Sequence, residues 1–137
     1  MILIDTSVWL FALRRDFHPG IRERVEKILA NDKVAMNGMI QLELLGGAKS
    51  EKEYDRLFQR LDSLYRIEAD RSLWNRSSKL AFELKQKGIT VPYANIFVAS
   101  SALKENILLV HADSPFDLIA DHSDLRVESL VSLVNTK

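Results

Sequence analysis

The chain has 137 residues, of which 47% are hydrophobic, so it can bury a full core and we expect one domain over residues 1–137. Nineteen basic and nineteen acidic residues give zero net charge with histidine neutral, which excludes a global basic field and leaves any nucleic-acid binding to a local patch. Cysteine is absent, which excludes disulfides and thiolate chemistry, and no stretch is long enough to span a membrane, so we expect a soluble, cytoplasmic protein.

The first predicted strand runs directly into an acid. Met1 to Ile4 form a short apolar run that stops at Asp5, a pattern typical of a strand buried on both faces. Thr6 and Ser7 then offer hydroxyl groups that can cap a helix. Asp5 is therefore placed at the carboxyl end of a buried parallel strand, where open α/β sheets bind ligands. The alternative is that Asp5 only caps the helix.

Apolar periodicity and turn residues predict the remaining elements. Helices are expected at about 7–15, 19–30, 39–46, 50–63, 70–88, 90–103 and 114–120, and strands at 34–36, 64–67, 107–110 and 125–127. The alternation of strands with helices predicts a doubly wound parallel sheet. Within helix 70–88, Trp74 is expected to face the core rather than to form a stacking platform.

A second acid lies on the predicted helix 39–46. Met39, Leu42 and Glu43 share one face by their i, i+3, i+4 spacing, so Glu43 lies at the edge of an apolar stripe. Acids are seldom buried unless they are paired or bound to a metal. The alternative is that Glu43 lies just outside the stripe, in water.

A third acid follows another buried strand. Residues 107–110 run into His111, Ala112 and Asp113, which places Asp113 beside Asp5 at the carboxyl edge of the sheet. His111 could be a ligand or a base, but a structural histidine near a strand end is the favoured interpretation. Asn95 falls in the first turn of the nearly buried helix 90–103.

Carboxylates that are brought together repel one another unless a cation offsets their charge. Oxygen ligands without a cluster of histidine or cysteine suit Mg²⁺ or Mn²⁺. A bound Mg²⁺ that keeps its waters can activate one of them as a nucleophile and can clamp a phosphodiester. These acids therefore indicate metal-assisted phosphodiester chemistry.

Four stretches resemble the signature motifs of PIN domains, and most closely those of VapC-type toxins from prokaryotic toxin–antitoxin pairs. They are Asp5-Thr6-Ser7, Glu43 on its short helix, residues 93–99 and residues 111–120. The resemblance spans the whole chain and implies a three-layer α/β/α sandwich with a mainly parallel central sheet. It also implies a Mg²⁺-dependent endoribonuclease that cleaves single-stranded or loop RNA, forms a homodimer and is silenced by an antitoxin. We place the self-association surface on helix 50–63 and the preceding residues 44–47.

The resemblance assigns site residues position by position. Three acids match the family's acids: Asp5, Glu43 and Asp113. The family usually has Asp where this chain has Asn95, and many members have an acid where it has Pro115. Asn95 can still donate a carbonyl oxygen to a metal, but it brings no charge. Asp117 does not match the missing acid and is expected to cap a helix or to face water.

Two functions remain open. In the first, the chain is a nuclease whose catalytic and metal-binding residues are Asp5, Glu43, Asn95 and Asp113, with Thr6, Ser7, His111 and Asp117 in support. In the second, it is a catalytically silent module that binds RNA or an antitoxin, a function that the Asn95 and Pro115 departures favour. A phosphotransfer receiver domain is disfavoured, because Thr6 and His111 stand where that domain needs an acid and a lysine.

Overall fold

The computed structural model describes residues 1–13 and 18–134, so the predicted end of the first helix at 14–15 lies outside the described residues. Within these ranges the strands are β1 (Ile2–Ile4), β2 (Val34–Asn37), β3 (Tyr65–Ile67), β4 (Leu108–His111) and β5 (Val127–Ser129). The helices are α1 (Thr6–Leu13), α2 (Pro19–Asn31), α3 (Gly38–Gly46), α4 (Glu51–Asp62), α5 (Arg71–Gln86), α6 (Tyr93–Glu105), α7 (Pro115–Asp121) and α8 (Val131–Val134).

The strands form one sheet in the order β3-β2-β1-β4-β5, and all four strand pairs of the described chain are parallel. In the centre, Ile2 of β1 pairs with Val34 of β2 on one side and with Leu108 of β4 on the other. Crossovers between parallel strands are right-handed, so the helices before β3 and those after it cover opposite faces. The predicted three-layer α/β/α sandwich is therefore confirmed, with a sheet that is entirely parallel.

The order of the strands defines where a ligand can enter. The chain moves outward from β1 through β2 to β3, and then returns to the other side of β1 to form β4. The boundary between β1 and β4 is thus the topological switch point, where the strand ends leave a crevice. Asp5 follows β1 directly, and Asp113 lies two residues after β4.

The core surrounds the two central strands. Leu3, Ile4, Leu109 and Val110 are all fully buried, as strands covered on both faces require. The polar residue Asn37 is also fully buried at the end of β2, and its Oδ1 accepts the backbone N–H of Ile40 at 2.9 Å. This cap fixes the start of α3 and therefore the direction in which α3 presents Glu43.

The apolar stripe predicted on α3 is wrong. Leu42 is 66% exposed, whereas Ile40 and Leu44 are buried at i, i+4 spacing against the sheet. The helix is apolar on more than one side, so the sequence allowed two stripes, and the cap at Asn37 selects the other one. Leu44 and Leu45 are buried in the core, so they do not supply the predicted self-association surface.

The inward position predicted for Trp74 is also wrong, because its side chain is 53% exposed. The buried face of α5 is formed by residues at i, i+4, i+7 and i+11 spacing, namely Leu73, Ser77, Leu80 and Leu84. Ser77 can occupy this face because its hydroxyl donates to the carbonyl oxygen of Leu73 at 2.8 Å. Trp74 lies one position further round the helix and packs over Phe97, with ring centroids 4.6 Å apart.

The last strand of the described chain begins later than predicted, and a helix follows it. The last strand is Val127–Ser129 rather than 125–127, and the short helix α8, which was not predicted, follows it. Leu125 and Leu130 are buried on either side of β5, so the apolar residues flank the strand instead of forming it. Among the described helices, none combines the length and the hydropathy that crossing a membrane requires.

Candidate active site

The predicted site residues lie around a cavity of about 210 Å³ at the switch point, here called the acidic pocket. Its polar walls are formed by Asp5, Thr6, Ser7, Glu43, Asn95 and Asp113, and its apolar walls include Leu10, Val98 and Phe116. The structure therefore brings together side chains from the ends of β1 and β4 and from helices α3 and α6. His111 and Asp117 were also predicted as supporting residues, but they do not line the acidic pocket.

Asp5 both caps a helix and faces the acidic pocket. Its Oδ2 accepts the hydroxyl of Ser7 at 2.6 Å and the backbone N–H of Ser7 at 3.0 Å. The residue is only 6% exposed, and this burial raises the pKa of the Asp5 carboxyl. The hydrogen bonds from Ser7 oppose that rise, and the negative charge of Glu43 adds to it. Asp5 is thus a carboxylate for which a nearby cation would be favourable.

Ser7 joins the ends of the two central strands. While its hydroxyl donates to Asp5, the same oxygen accepts the backbone N–H of Ala112 at 3.0 Å. The backbone N–H of Asp5 also donates to the carbonyl oxygen of Val110 at 2.9 Å. These contacts fix the spacing between the loop that carries Asp5 and the loop that leads to Asp113.

Glu43 reaches the acidic pocket from an exposed position on α3. The hydroxyl of Thr6 donates to its Oε1 at 2.8 Å, which connects the start of α1 to α3. The alternative interpretation of Glu43, an acid in contact with water, is therefore correct about its exposure. Thr6 nevertheless holds the side chain close enough to Asp5 for the two charges to repel.

Asn95 binds Asp113 directly. Its Nδ2 donates to Oδ2 of Asp113 at 2.9 Å, and the Asn95 side chain is almost buried in the first turn of α6. The amide thus supplies a positive dipole to an oxygen that a metal ion would otherwise attract. An aspartate at this position would instead place a second carboxylate against Asp113.

His111 is a structural histidine, as favoured from the sequence. It is fully buried, and its Nδ1 accepts the backbone N–H of Asp113 at 3.1 Å. The proton must then be on Nε2, which lies 3.0 Å from Oδ1 of Asp117. Burial lowers the pKa of His111, although the charge of Asp117 opposes this, so the ring is neutral at pH 7.

Asp117 has a different role from the one expected. Although its side chain is 40% exposed, its two oxygens pair with His111 and with the hydroxyl of Ser129, which donates at 2.9 Å. This arrangement holds the start of α7 between β4 and β5. Pro115 is the first residue of α7, where its lack of an N–H costs nothing.

The donors around the acidic pocket are carboxylate oxygens and one amide oxygen, a set whose chemistry fits Mg²⁺ or Mn²⁺. Among the residues that the structure describes, no three acidic, histidine or cysteine side chains are arranged to hold a metal ion. Mg²⁺ usually keeps several waters and needs only one or two carboxylates, so it does not require three side chains arranged around it.

Sequence reasoning missed the residues that shape the acidic pocket without charge. Leu10 and Val98 lie three residues after Ser7 and Asn95, so helical spacing could have placed them on the pocket side. Asn37 was missed although it shows the same signal as Asp5, an apolar strand that ends in a polar residue. Phe116 gives no such signal, because its position depends on how α7 folds back.

Comparisons with known proteins identify the family. The family model of the PIN domain matches residues 2–121. The chain is 30% identical over 121 residues to ribonuclease VapC51 of Mycobacterium tuberculosis, covering 86% of this chain and 84% of that protein. It is 28% identical over 127 residues to ribonuclease VapC1 of Haemophilus influenzae, covering 87% and 92%.

The fold is also similar to solved structures. A crystal structure of VapBC2 from Rickettsia felis, bound to a DNA fragment from its promoter, includes a chain that matches with a TM-score of 0.77. The sequence identity is 24%, and the match covers 94% of this chain and 98% of that one. With a family model that covers most of its length, this chain belongs to the PIN domain family.

Proposed function

We propose that the protein is a Mg²⁺-dependent endoribonuclease toxin of the VapC type that cleaves single-stranded or loop RNA. The observation that carries this proposal is the convergence of Asp5, Glu43 and Asp113 on one pocket at the switch point of a PIN domain. Relatives that are named VapC ribonucleases support RNA as the substrate. The burial of the Asp5 carboxyl beside Glu43 supports a cation as the cofactor, because a cation would offset the repulsion between the two carboxylates.

Asp5, Glu43 and Asp113 would hold Mg²⁺ or Mn²⁺ together with the waters that the ion keeps, so that not all three carboxylates need to contact it, and the amide oxygen of Asn95 would be a neutral donor. When bound, the metal supplies an activated water and stabilises the charge that develops on the phosphodiester. Ser7 orients Asp5 through two hydrogen bonds to Oδ2, and the backbone N–H of Thr6 also hydrogen-bonds to the carboxylate. The hydroxyl of Thr6 likewise orients Glu43 by donating to its Oε1. The apolar walls limit the water that competes for these oxygens.

We also propose two protein partners. A cognate antitoxin would place an Arg or Lys side chain in the acidic pocket, since a cation satisfies buried carboxylates much as Mg²⁺ does. Self-association as a homodimer is supported by exposed apolar surface on α4, where the stacked rings of Tyr54 and Phe58 are 42% and 38% exposed. A monomer mass by light scattering at micromolar concentration would count against the dimer.

The nuclease proposal is tested by incubating a labelled RNA pool with Mg²⁺, with Mn²⁺ and with EDTA. We expect cleavage by the wild-type chain with a metal, none in EDTA, and none by the Asp5→Asn variant, which keeps the shape of the side chain. Equal cleavage in EDTA would contradict metal dependence. Absence of cleavage under all conditions, together with RNA or antitoxin binding, would identify a silent binding module.

A further inference from the structure

A second cavity, of about 790 Å³, lies between α5 and α6 and is here called the aromatic groove. Three of the aromatic side chains that line it are exposed, Trp74 by 53%, Phe82 by 57% and Tyr93 by 78%. The ring of Trp74 is held in place because it packs on Phe97, with the two ring centroids 4.6 Å apart. Large aromatic rings that are held in place and exposed along a groove are suited to flat ligands that stack.

The aromatic groove is lined in part by a basic segment in a chain of zero net charge. Residues 71–93 contain one acid, Glu83, and five basic residues: Arg71, Arg76, Lys79, Lys85 and Lys87. Five positive charges and one negative charge give this segment a net charge of +4, and all six side chains are exposed. Lys85 lines the groove, and Nζ of Lys79 lies 5.7 Å from the ring centroid of Phe82. Lys79 and Lys85 thus supply positive charge at the groove, and nucleic-acid binding by a neutral protein needs such local charge.

The aromatic groove adjoins the acidic pocket through α6. Tyr93, Ile96 and Phe97 line the groove, whereas Asn95 and Val98 line the acidic pocket. The two cavities therefore lie on different sides of the same two helical turns, and a helix with its side chains is about 10 Å across. The groove and the acidic pocket are thus separated by about the width of one helix.

We propose that the aromatic groove is the substrate subsite for single-stranded RNA. Unpaired bases stack on Trp74, Phe82 and Tyr93, while Lys79 and Lys85 meet the backbone phosphates. Bases in a duplex are already stacked and cannot use these rings, so the groove selects unpaired RNA. This inference rests on the proposed nuclease function and adds to it the surface that delivers the strand.

Charge argues against a second copy of this chain as the occupant. A two-fold interface would bring the segment 71–93 of each copy, with its net charge of +4, close to the same segment of the other copy. RNA has the opposite charge at every phosphate, and its binding releases counterions. An acidic protein segment has the same sign of charge as RNA, but it lacks bases that can stack on the aromatic rings.

The test measures binding of a labelled single-stranded RNA of about twelve nucleotides in EDTA, where no metal supports cleavage. We expect Phe82→Ala and Tyr93→Ala each to weaken binding about fivefold or more, as loss of one base-stacking ring does. Lys85→Ala should reduce the slope of log affinity against log salt by about 0.7. Tyr65→Ala is the matched control, because that ring is 41% exposed on the edge strand β3 and does not line the groove, so binding should not change.

Tryptophan emission gives a direct second readout. The chain has two tryptophans, and Trp9 is only 4% exposed, so stacked bases can quench Trp74 alone. RNA should therefore quench the wild-type emission, and Trp74→Phe should abolish the quenching while retaining most of the affinity. An acidic peptide should not reproduce the quenching.

The outcomes separate this inference from the nuclease proposal. If the wild-type chain cleaves RNA and the Phe82 and Tyr93 variants bind and cleave like it, the groove is not the subsite although the function stands. If these variants lose binding but the wild-type chain never cleaves, the subsite stands and the nuclease proposal fails. Unquenched emission with RNA, or a dimer that becomes a monomer in Phe82→Ala, would overturn the inference.

Discussion

Replacing Asn95 with Asp should destabilise the metal-free protein. The substitution removes a hydrogen bond to Asp113 and places two carboxylates at the present separation of 2.9 Å. At about 3 Å and an effective dielectric of 20, two unit charges repel by about 5 kcal/mol. Uptake of one proton limits this cost to about 4 kcal/mol at pH 7, because an ordinary aspartate has a pKa near 3.9. Since Asp113 is partly exposed, we expect a loss of about 3 kcal/mol, or roughly 10 °C in melting temperature.

Thermal denaturation in EDTA at two pH values checks this reasoning. The new carboxyl pair keeps a proton to a higher pH in the folded state than in the unfolded state, so its deficit should be large at pH 7.5 and small near pH 5. Added Mg²⁺ should raise the melting temperature of Asn95→Asp more than that of the wild type, because a fourth carboxylate tightens metal binding. If the chain is an otherwise intact nuclease, cleavage should increase roughly a hundredfold.

Asn75→Asp is the control for added charge, since Asn75 is exposed on α5, and its melting temperature should stay near that of the wild type. If Asn95→Asp melts like the wild type in EDTA at pH 7.5, the contact between Asn95 and Asp113 does not carry the energy assigned to it. Stronger Mg²⁺ stabilisation without cleavage would identify Pro115 as a second obstacle and would favour the silent binding module.

Three further predictions concern stability. Burial raises the pKa of Asp5, so the contribution of this carboxyl to the free energy of unfolding is favourable only at low pH and is lost as pH rises through the folded-state pKa. Asp5→Asn should therefore raise the melting temperature in EDTA at pH 7.5 by a few degrees. Burial lowers the pKa of His111, so the stability due to its neutral ring is present above about pH 6.5 and decreases at lower pH. In urea denaturation, the free energy of unfolding should therefore decrease less from pH 7.5 to 5.5 for His111→Gln than for the wild type. Arg24 makes two hydrogen bonds of 2.7 Å to Glu128, which join α2 to β5; Arg24→Ala should cost about 1 kcal/mol in urea denaturation at low salt, and a loss that is equal in 1 M salt would exclude an electrostatic origin.

The parts of the site that were predictable depend on local pattern. A buried strand that runs into Asp5, and another that runs towards Asp113, place both acids at one edge because parallel strands end together. The same rule could have included Asn37. The two central acids therefore follow from the order of residues along the chain.

The parts that failed depend on how elements pack. The sequence of α3 is apolar on several sides, so its pattern could not decide between Leu42 and Ile40 as the buried residue. Trp74 was grouped with the other apolar residues of α5, but its ring lies at the edge of the contact with α6, packed on Phe97 and 53% exposed. The partners of Asp117 were hidden because β5 begins two residues later than predicted, which is what brings Ser129 alongside.

The position of β1 at the centre of the sheet has a consequence for synthesis of the chain. Strand β1 leaves the ribosome first, but its neighbour β4 is made last but one, and the contact from Ala112 to Ser7 spans 105 residues. Until β4 arrives, β1 has an unpaired apolar edge, which exposes the nascent chain to wrong pairing and slows folding. The acidic pocket cannot exist before that moment, since one of its walls follows β4. A chain released early is therefore an aggregation hazard that lacks the acidic pocket, and this pocket forms only when synthesis is nearly complete.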